Sequence, residues 1–230
     1  MGSVSAVYSR CYSRDQKPSA RCLDKYCCKP GLAFFQDQSN HRYQPENTKV
    51  SDVGQNVYWA VDPIDTLYEK GIVSGVGQNN FKPMDNSKRG DFILMLVKTV
   101  GLQAGFSSNF TDVPVNSYYY NAIGTVRALG ITSGTGNGNF DPKSGITRQD
   151  LLVQVYKAAR AAGIPLQSAD KSELAGFSDS SQISSYAAEA MAAMVRNGII
   201  SGSGNRLNPR AQATRAEISV ILSKLLQKLN

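Results

Sequence analysis

In the stretch SSYAAEAMAAMVRNG, residues 184–198, apolar side chains fall at helical spacing. The pattern stops at Gly198, a residue suited to the left-handed position that ends a helix. A second apolar stripe, Ile218, Ile221, Leu222 and Leu225, follows Thr214 and Glu217. Those two stand at the spacing of a capping box, in which the hydroxyl accepts a backbone N–H and the acid reaches back. Comparable stripes run through Phe92, Leu94, Met95 and Leu96, and through Leu151, Leu152, Val155 and Tyr156. Thr147 with Asp150 is an acidic variant of the box, whereas the earliest copy has Lys88 at the cap position, keeps Asp91, and is expected to use Ser87 one residue early. The pattern predicts helix, glycine-rich loop, helix, three times over, with the three later stripes meeting as a core.

The repetition extends to individual positions. GIVSGVGQNNFKPMDNSKRGD (71–91), GITSGTGNGNFDPKSGITRQD (130–150) and GIISGSGNRLNPRAQATRAE (198–217) share G-I-x-S-G-x-G, then a large apolar residue two before proline, then an arginine. The apolar residues are Phe81, Phe140 and Leu207, and the arginines are Arg89, Arg148 and Arg215. Twelve residues before each leading glycine stands an aromatic: Trp59, Tyr118 and Tyr186. Each unit begins near VSDV, FTDV or FSDS, which supply Asp52, Asp112 and Asp179. The units run over 50–102, 109–164 and 176–230, after a leader of residues 1–49.

Three chemistries compete for the loops. A dinucleotide cradle needs a strand before the glycines and a helix directly after them, and neither condition is met. An EF-hand reading of Asn137, Asn139 and Asp141 fails on the copies, where Asp141 is replaced by Lys82 and Asn208, so no metal is expected. Tight turning explains the glycines and prolines. It leaves unexplained an arginine at the start of every second helix, where free N–H groups and a guanidinium fork suit a carboxylate. For each arginine alone, an ion pair with the acid two residues on is the competing role. Recurrence beside an aromatic favours ligand binding.

Composition narrows the classes further. The net charge is +7, with eight Lys/Arg against four Asp/Glu in residues 1–49 and seventeen against fourteen beyond, without the clustering of a nucleic-acid binder. No apolar run is long enough to span a membrane, and the first 30 residues lack the apolar stretch of a secretory signal. Cys11, Cys22, Cys27 and Cys28 match no usual zinc spacing. The leader shows no periodicity and is expected to be poorly ordered or foreign to the rest. His41, the sole histidine, lies in that leader, so a Ser-His-Asp or Cys-His enzyme has no evident partners and no cofactor is expected.

The pattern F-[ST]-D-V, aromatic, G-I-x-S-G, F-x-P and T-R-A-E resembles the S-layer homology domain family, with TRAE letter for letter in the third unit. The resemblance covers all but the leader. It implies a mainly α, pseudo-threefold spindle with one helix from each unit in a central bundle. It also implies an extracellular, non-catalytic module that holds a surface protein on the Gram-positive wall by binding secondary cell-wall polysaccharide, often pyruvylated. Under that resemblance Arg89, Arg148 and Arg215 meet the pyruvyl carboxylate, and Ser74, Gly75, Ser133, Gly134, Ser201 and Gly202 offer loop hydrogen bonds. Trp59, Tyr118 and Tyr186 line the sugar, and Asp52, Asp112 and Asp179 either accept sugar hydroxyls or cap the following segment. The alternatives are the anchoring piece of a surface glycosidase or autolysin, and a structural S-layer block that contacts only its protein neighbours.

Overall fold

The computed structural model describes residues 50–53, 57–78 and 80–229. The expectations for the leader, its four cysteines and His41 fall outside the described residues.

Six α-helices make up the described chain, which has isolated antiparallel bridges but no strand. They are α1 (Val61–Glu69), α2 (Arg89–Val100), α3 (Tyr120–Ala128), α4 (Arg148–Ala161), α5 (Ala188–Arg196) and α6 (Arg215–Gln227). None is long and apolar enough to cross a membrane. Each repeat contributes one helix, a loop and a second helix. The first helices close the same way: Gly71, Gly130 and Gly198 take φ of 65°, 67° and 69°. The next residue's N–H then reaches back to Leu67, Val126 or Met194, each at 2.9 Å.

At the second helices, Thr214 and Glu217 form the complete capping box, and Thr147 accepts from the Asp150 N–H. Lys88 gives no side-chain cap. Ser87 does not substitute for it, because its hydroxyl points to the Lys88 carbonyl at 3.4 Å. Backbone from the next repeat supports this end instead: the Arg89 N–H donates to Ser144 O and the Gly90 N–H to Pro142 O, both at 2.9 Å.

That cross-repeat pairing recurs around the molecule. Arg148 N and Gln149 N donate to Ala211 O and Pro209 O, and Arg215 N and Ala216 N donate to Asp85 O and Pro83 O. Repeat 1 thus docks on repeat 2, repeat 2 on repeat 3, and repeat 3 back on repeat 1. Helix packing follows the same order, with α2 against α3, α4 against α5 and α6 against α1, while α2 also packs on α4 and α6. The result is a closed, pseudo-threefold helical bundle. Phe81, Phe140 and Leu207, one per loop, are fully buried in it, each contributing about 1.5–3 kcal/mol.

Candidate functional site

The three arginines are folded inward, across the repeat boundaries. Nε of Arg89 donates to Phe140 O at 2.9 Å, Nε of Arg148 to Leu207 O at 2.9 Å, and Nε of Arg215 to Phe81 O at 2.8 Å. Each arginine therefore holds the loop of the following repeat. The guanidinium carbons of Arg89 and Arg215 also lie 4.7 and 4.3 Å from the Phe140 and Phe81 ring centres, a favourable cation–π placement. Burial pushes both guanidinium pKa values down from their ordinary value, while Asp150 and Asp91, first among the surrounding carboxylates, push them back up. In the third loop Leu207 replaces the ring, and Arg148 instead forms a 2.9 Å ion pair with Glu217. That acid belongs to the next repeat, so it is not the acid two residues on.

Two of these arginines open onto cavities. One, of about 490 Å³, is lined by Arg148, by Ser201, Gly202 and Ser203 of the third loop, by Glu217, Ile221 and Lys224 of α6, and by Trp59. The other, of about 240 Å³, has Arg215, the loop residues Ser74 and Gly75, Asp91, Met95 and Lys98 of α2, and Tyr118. The two are built alike: an arginine from the preceding repeat, a loop and helix from the central one, an aromatic from the following one. The remaining set obeys the same rule in its hydrogen bonds. Arg89 reaches Phe140 O, and the Tyr186 hydroxyl donates to Asp150 on α4 at 2.6 Å, as the Tyr118 hydroxyl does to Asp91 on α2. We refer to the first, second and third grooves by the repeat whose loop and helix form the wall.

Trp59, Tyr118 and Tyr186 are 44%, 67% and 58% exposed, so each offers a ring face to solvent. The tyrosine rings are held at their far end by the carboxylates they donate to. Loss of hydration, then those hydrogen bonds, pushes both phenol pKa values up to about 12. Ser74, Ser133 and Ser201 are exposed on the loops. Their glycine neighbours are required by the fold of the loop itself: a Cβ on Gly134 would lie 2.2 Å from Asn139 O, and one on Gly202 would lie 2.6 Å from Arg206 O.

The repeated aspartates hold the loops. Asp52 accepts from the N–H groups of Phe81 and Lys82, Asp112 from Phe140 and Asp141, and Asp179 from Leu207 and Asn208, at 2.6–3.0 Å. The second residue of each pair has positive φ, 54° at Lys82, 60° at Asp141 and 50° at Asn208, which costs an L-residue roughly 1–2 kcal/mol. A carboxylate taking both N–H groups fixes this turn. Both oxygens of each aspartate face the backbone of a loop 28–30 residues away, not the segment that follows it.

Sequence reading passed over two groove positions. Asp91, Asp150 and Glu217 enter it as cap partners or as ion-pair partners of the arginine two residues before, and Lys98, Lys157 and Lys224 not at all. They follow the arginines at constant offsets of two and nine residues, a signal as regular as those that were used.

The S-layer homology domain profile matches residues 51–93, 109–152 and 176–218, together more than half of the chain. The chain belongs to the S-layer homology domain family. The chain is 25% identical over 186 residues to the Surface-layer 125 kDa protein of Lysinibacillus sphaericus, covering 79% of this chain and 15% of that protein. It is 31% identical over 185 residues to the Exoglucanase XynX of Acetivibrio thermocellus, covering 78% of this chain and 16% of that protein. With the S-layer protein sap of Bacillus anthracis it shares 28% identity over 173 residues, 73% and 20% of the two chains. The matched region is thus no more than a fifth of these relatives. S-layer homology domains are cell-wall anchoring modules and not catalytic ones. The exoglucanase likeness is confined to that module.

Proposed function

We propose that this chain anchors a surface protein by binding an acidic, pyruvylated secondary cell-wall polysaccharide in its inter-repeat grooves. The observation that carries the reading is the recurrence, in two grooves, of one set of lining residues: a largely buried guanidinium, a loop with an exposed serine, a lysine of the wall helix and an exposed ring. Arg148 with Lys224, and Arg215 with Lys98, place positive charge where a ketal carboxylate would sit. Trp59 and Tyr118 offer apolar faces to a pyranose, and the loop hydroxyls and amides suit sugar hydroxyls. The arginines do double duty: Nε of each is committed to a loop carbonyl, Arg148 Nη1 pairs with Glu217 and Arg215 Nη2 donates to Ser74 O, so a ligand takes the remaining N–H groups or displaces these partners. The proposed ligand set leaves out the aspartates, whose oxygens hold loop amides.

The test is retention on purified Gram-positive walls before and after chemical removal of pyruvyl groups. Retention is expected to fall at least tenfold on the treated walls. Equal retention would mean that the module contacts protein, or neutral sugar, and that the acidic-glycan reading is wrong. Peptidoglycan release by the same sample would point to a catalytic role instead.

A further inference from the structure

The walls of the first and third grooves are made by the same helical face, at offsets two, five, six and nine from the arginine that opens the helix. In α2 these residues are Asp91, Leu94, Met95 and Lys98, and in α6 they are Glu217, Val220, Ile221 and Lys224. In α4 they are Asp150, Val153, Gln154 and Lys157. Acid, aliphatic and lysine are kept throughout, and a single position changes character, from Met and Ile to Gln.

Met95 and Ile221 line the first and third grooves, Gln154 holds the matching position of α4, and Met95, Gln154 and Ile221 are 5%, 6% and 4% exposed. Oε1 of Gln154 has no hydrogen-bond partner and is the one such buried side-chain atom among the described residues. A buried acceptor left unpaired is destabilising, and a methionine of nearly the same shape would remove the penalty, as Met95 shows at the matching position. The repeat symmetry puts Gln154, with Asp150 and Lys157, at positions that line the other two grooves.

We propose that Gln154 makes the second groove selective, its carbonyl oxygen accepting a hydrogen bond from a hydroxyl or amide N–H of the bound acidic sugar, while the first and third grooves meet the same part of the sugar with an apolar floor. The proposal rests on the glycan reading above and goes beyond it: the grooves are not three copies of one site. The second binds a sugar carrying a donor at the buried position, and the other two tolerate its absence.

Trp59, the sole tryptophan, lines the third groove and so reports on that groove alone. The experiment titrates a pyruvylated wall disaccharide into the wild type and Gln154→Met, following total binding by calorimetry and the third groove by Trp59 fluorescence. In the variant, one class of sites is expected to weaken about tenfold by calorimetry, the Trp59-reported affinity to stay within twofold, and the melting temperature to hold or rise. The reverse change, Met95→Gln, should alter the first groove without moving the Trp59 signal. An unchanged calorimetric isotherm in Gln154→Met overturns the proposal, as does an equal loss at Trp59, which would mark a general disturbance of the bundle. If the wild type binds the disaccharide by neither readout, the glycan reading itself falls, and this proposal with it.

Discussion

Replacing Asp179 by asparagine tests whether the repeated aspartates hold the loops or hold the ligand. Asp179 is 1% exposed, and its two oxygens accept from Leu207 N at 3.0 Å and Asn208 N at 2.8 Å, with Arg206 Nε 3.8 Å away. Asparagine keeps one acceptor and turns an NH₂ toward the other backbone N–H. A hydrogen bond to a charged group is worth about 1.5–3 kcal/mol, and stranding its buried donor adds to the loss, so about 2–4 kcal/mol is expected. At about 2–4 °C per kcal/mol for a domain of this size, the melting temperature should fall by about 5–15 °C. Asp52→Asn makes the same change at an exposed carboxylate. Water can replace part of that loss, so the drop there should be clearly smaller.

The effect also has a pH signature. Burial pushes the Asp179 carboxyl up, but the N–H groups of Leu207 and Asn208, with Arg206, outweigh it and hold the pKa below its ordinary value. A depressed carboxyl stabilises the fold above its unfolded pKa, and that contribution is lost as pH falls through the folded value. The gap between wild type and Asp179→Asn should therefore be full at neutral pH and close on strong acidification. Thermal melts followed by circular dichroism supply both measurements. A melting temperature within 2 °C of wild type, together with lost wall binding, would show that the aspartate serves the ligand and that the loop-bracing account is wrong.

Three other perturbations probe different contacts. Gly124→Ala gains about 1 kcal/mol of helix propensity, yet its Cβ would lie 2.3 Å from the Phe106 ring, so a net loss of about 1–2 kcal/mol is expected in denaturant melts. Glu217→Gln keeps a capping side chain and releases Arg148 from its 2.9 Å ion pair, so Trp59 fluorescence should report several-fold tighter binding of an anionic saccharide. Ultraviolet titration should show two phenols, Tyr118 and Tyr186, ionising near pH 12. Because those pKa values are raised, their stabilising contribution is complete below pH 10 and lost as pH rises through 12, and Asp91→Asn should reduce it for Tyr118, leaving the part due to lost hydration.

The helices were legible because their signals are local. Gly198 ends α5 and Thr214 with Glu217 opens α6 through contacts within a few residues, and periodicity alone reveals those. The failure at Ser87 has the same root: its neighbourhood looks like a cap, but the N-terminus of α2 is satisfied by Pro142 and Ser144 from another repeat. What the arginines touch depends on the order of the repeats around the axis, which no single repeat encodes. Arg215 meets Phe81 across 134 residues of sequence. The loop-bracing role of the aspartates is hidden for a related reason. A carboxylate near a unit's start suggests a cap, whereas its true partners are amides past the far end of the next helix. Lys98 and Lys224 could have been found, since their offset from each arginine is constant.

Because the last arginine returns to the first loop, the repeats form a circuit with no terminal member. In an open solenoid a unit can be added or removed at either end, and stability changes by one increment. Here deletion of any one repeat severs two seams at once and leaves an arginine without its carbonyl and a loop without its arginine. The count of three is therefore set by geometry, and two such modules can be joined only as separate rings on a string, never fused into a longer one.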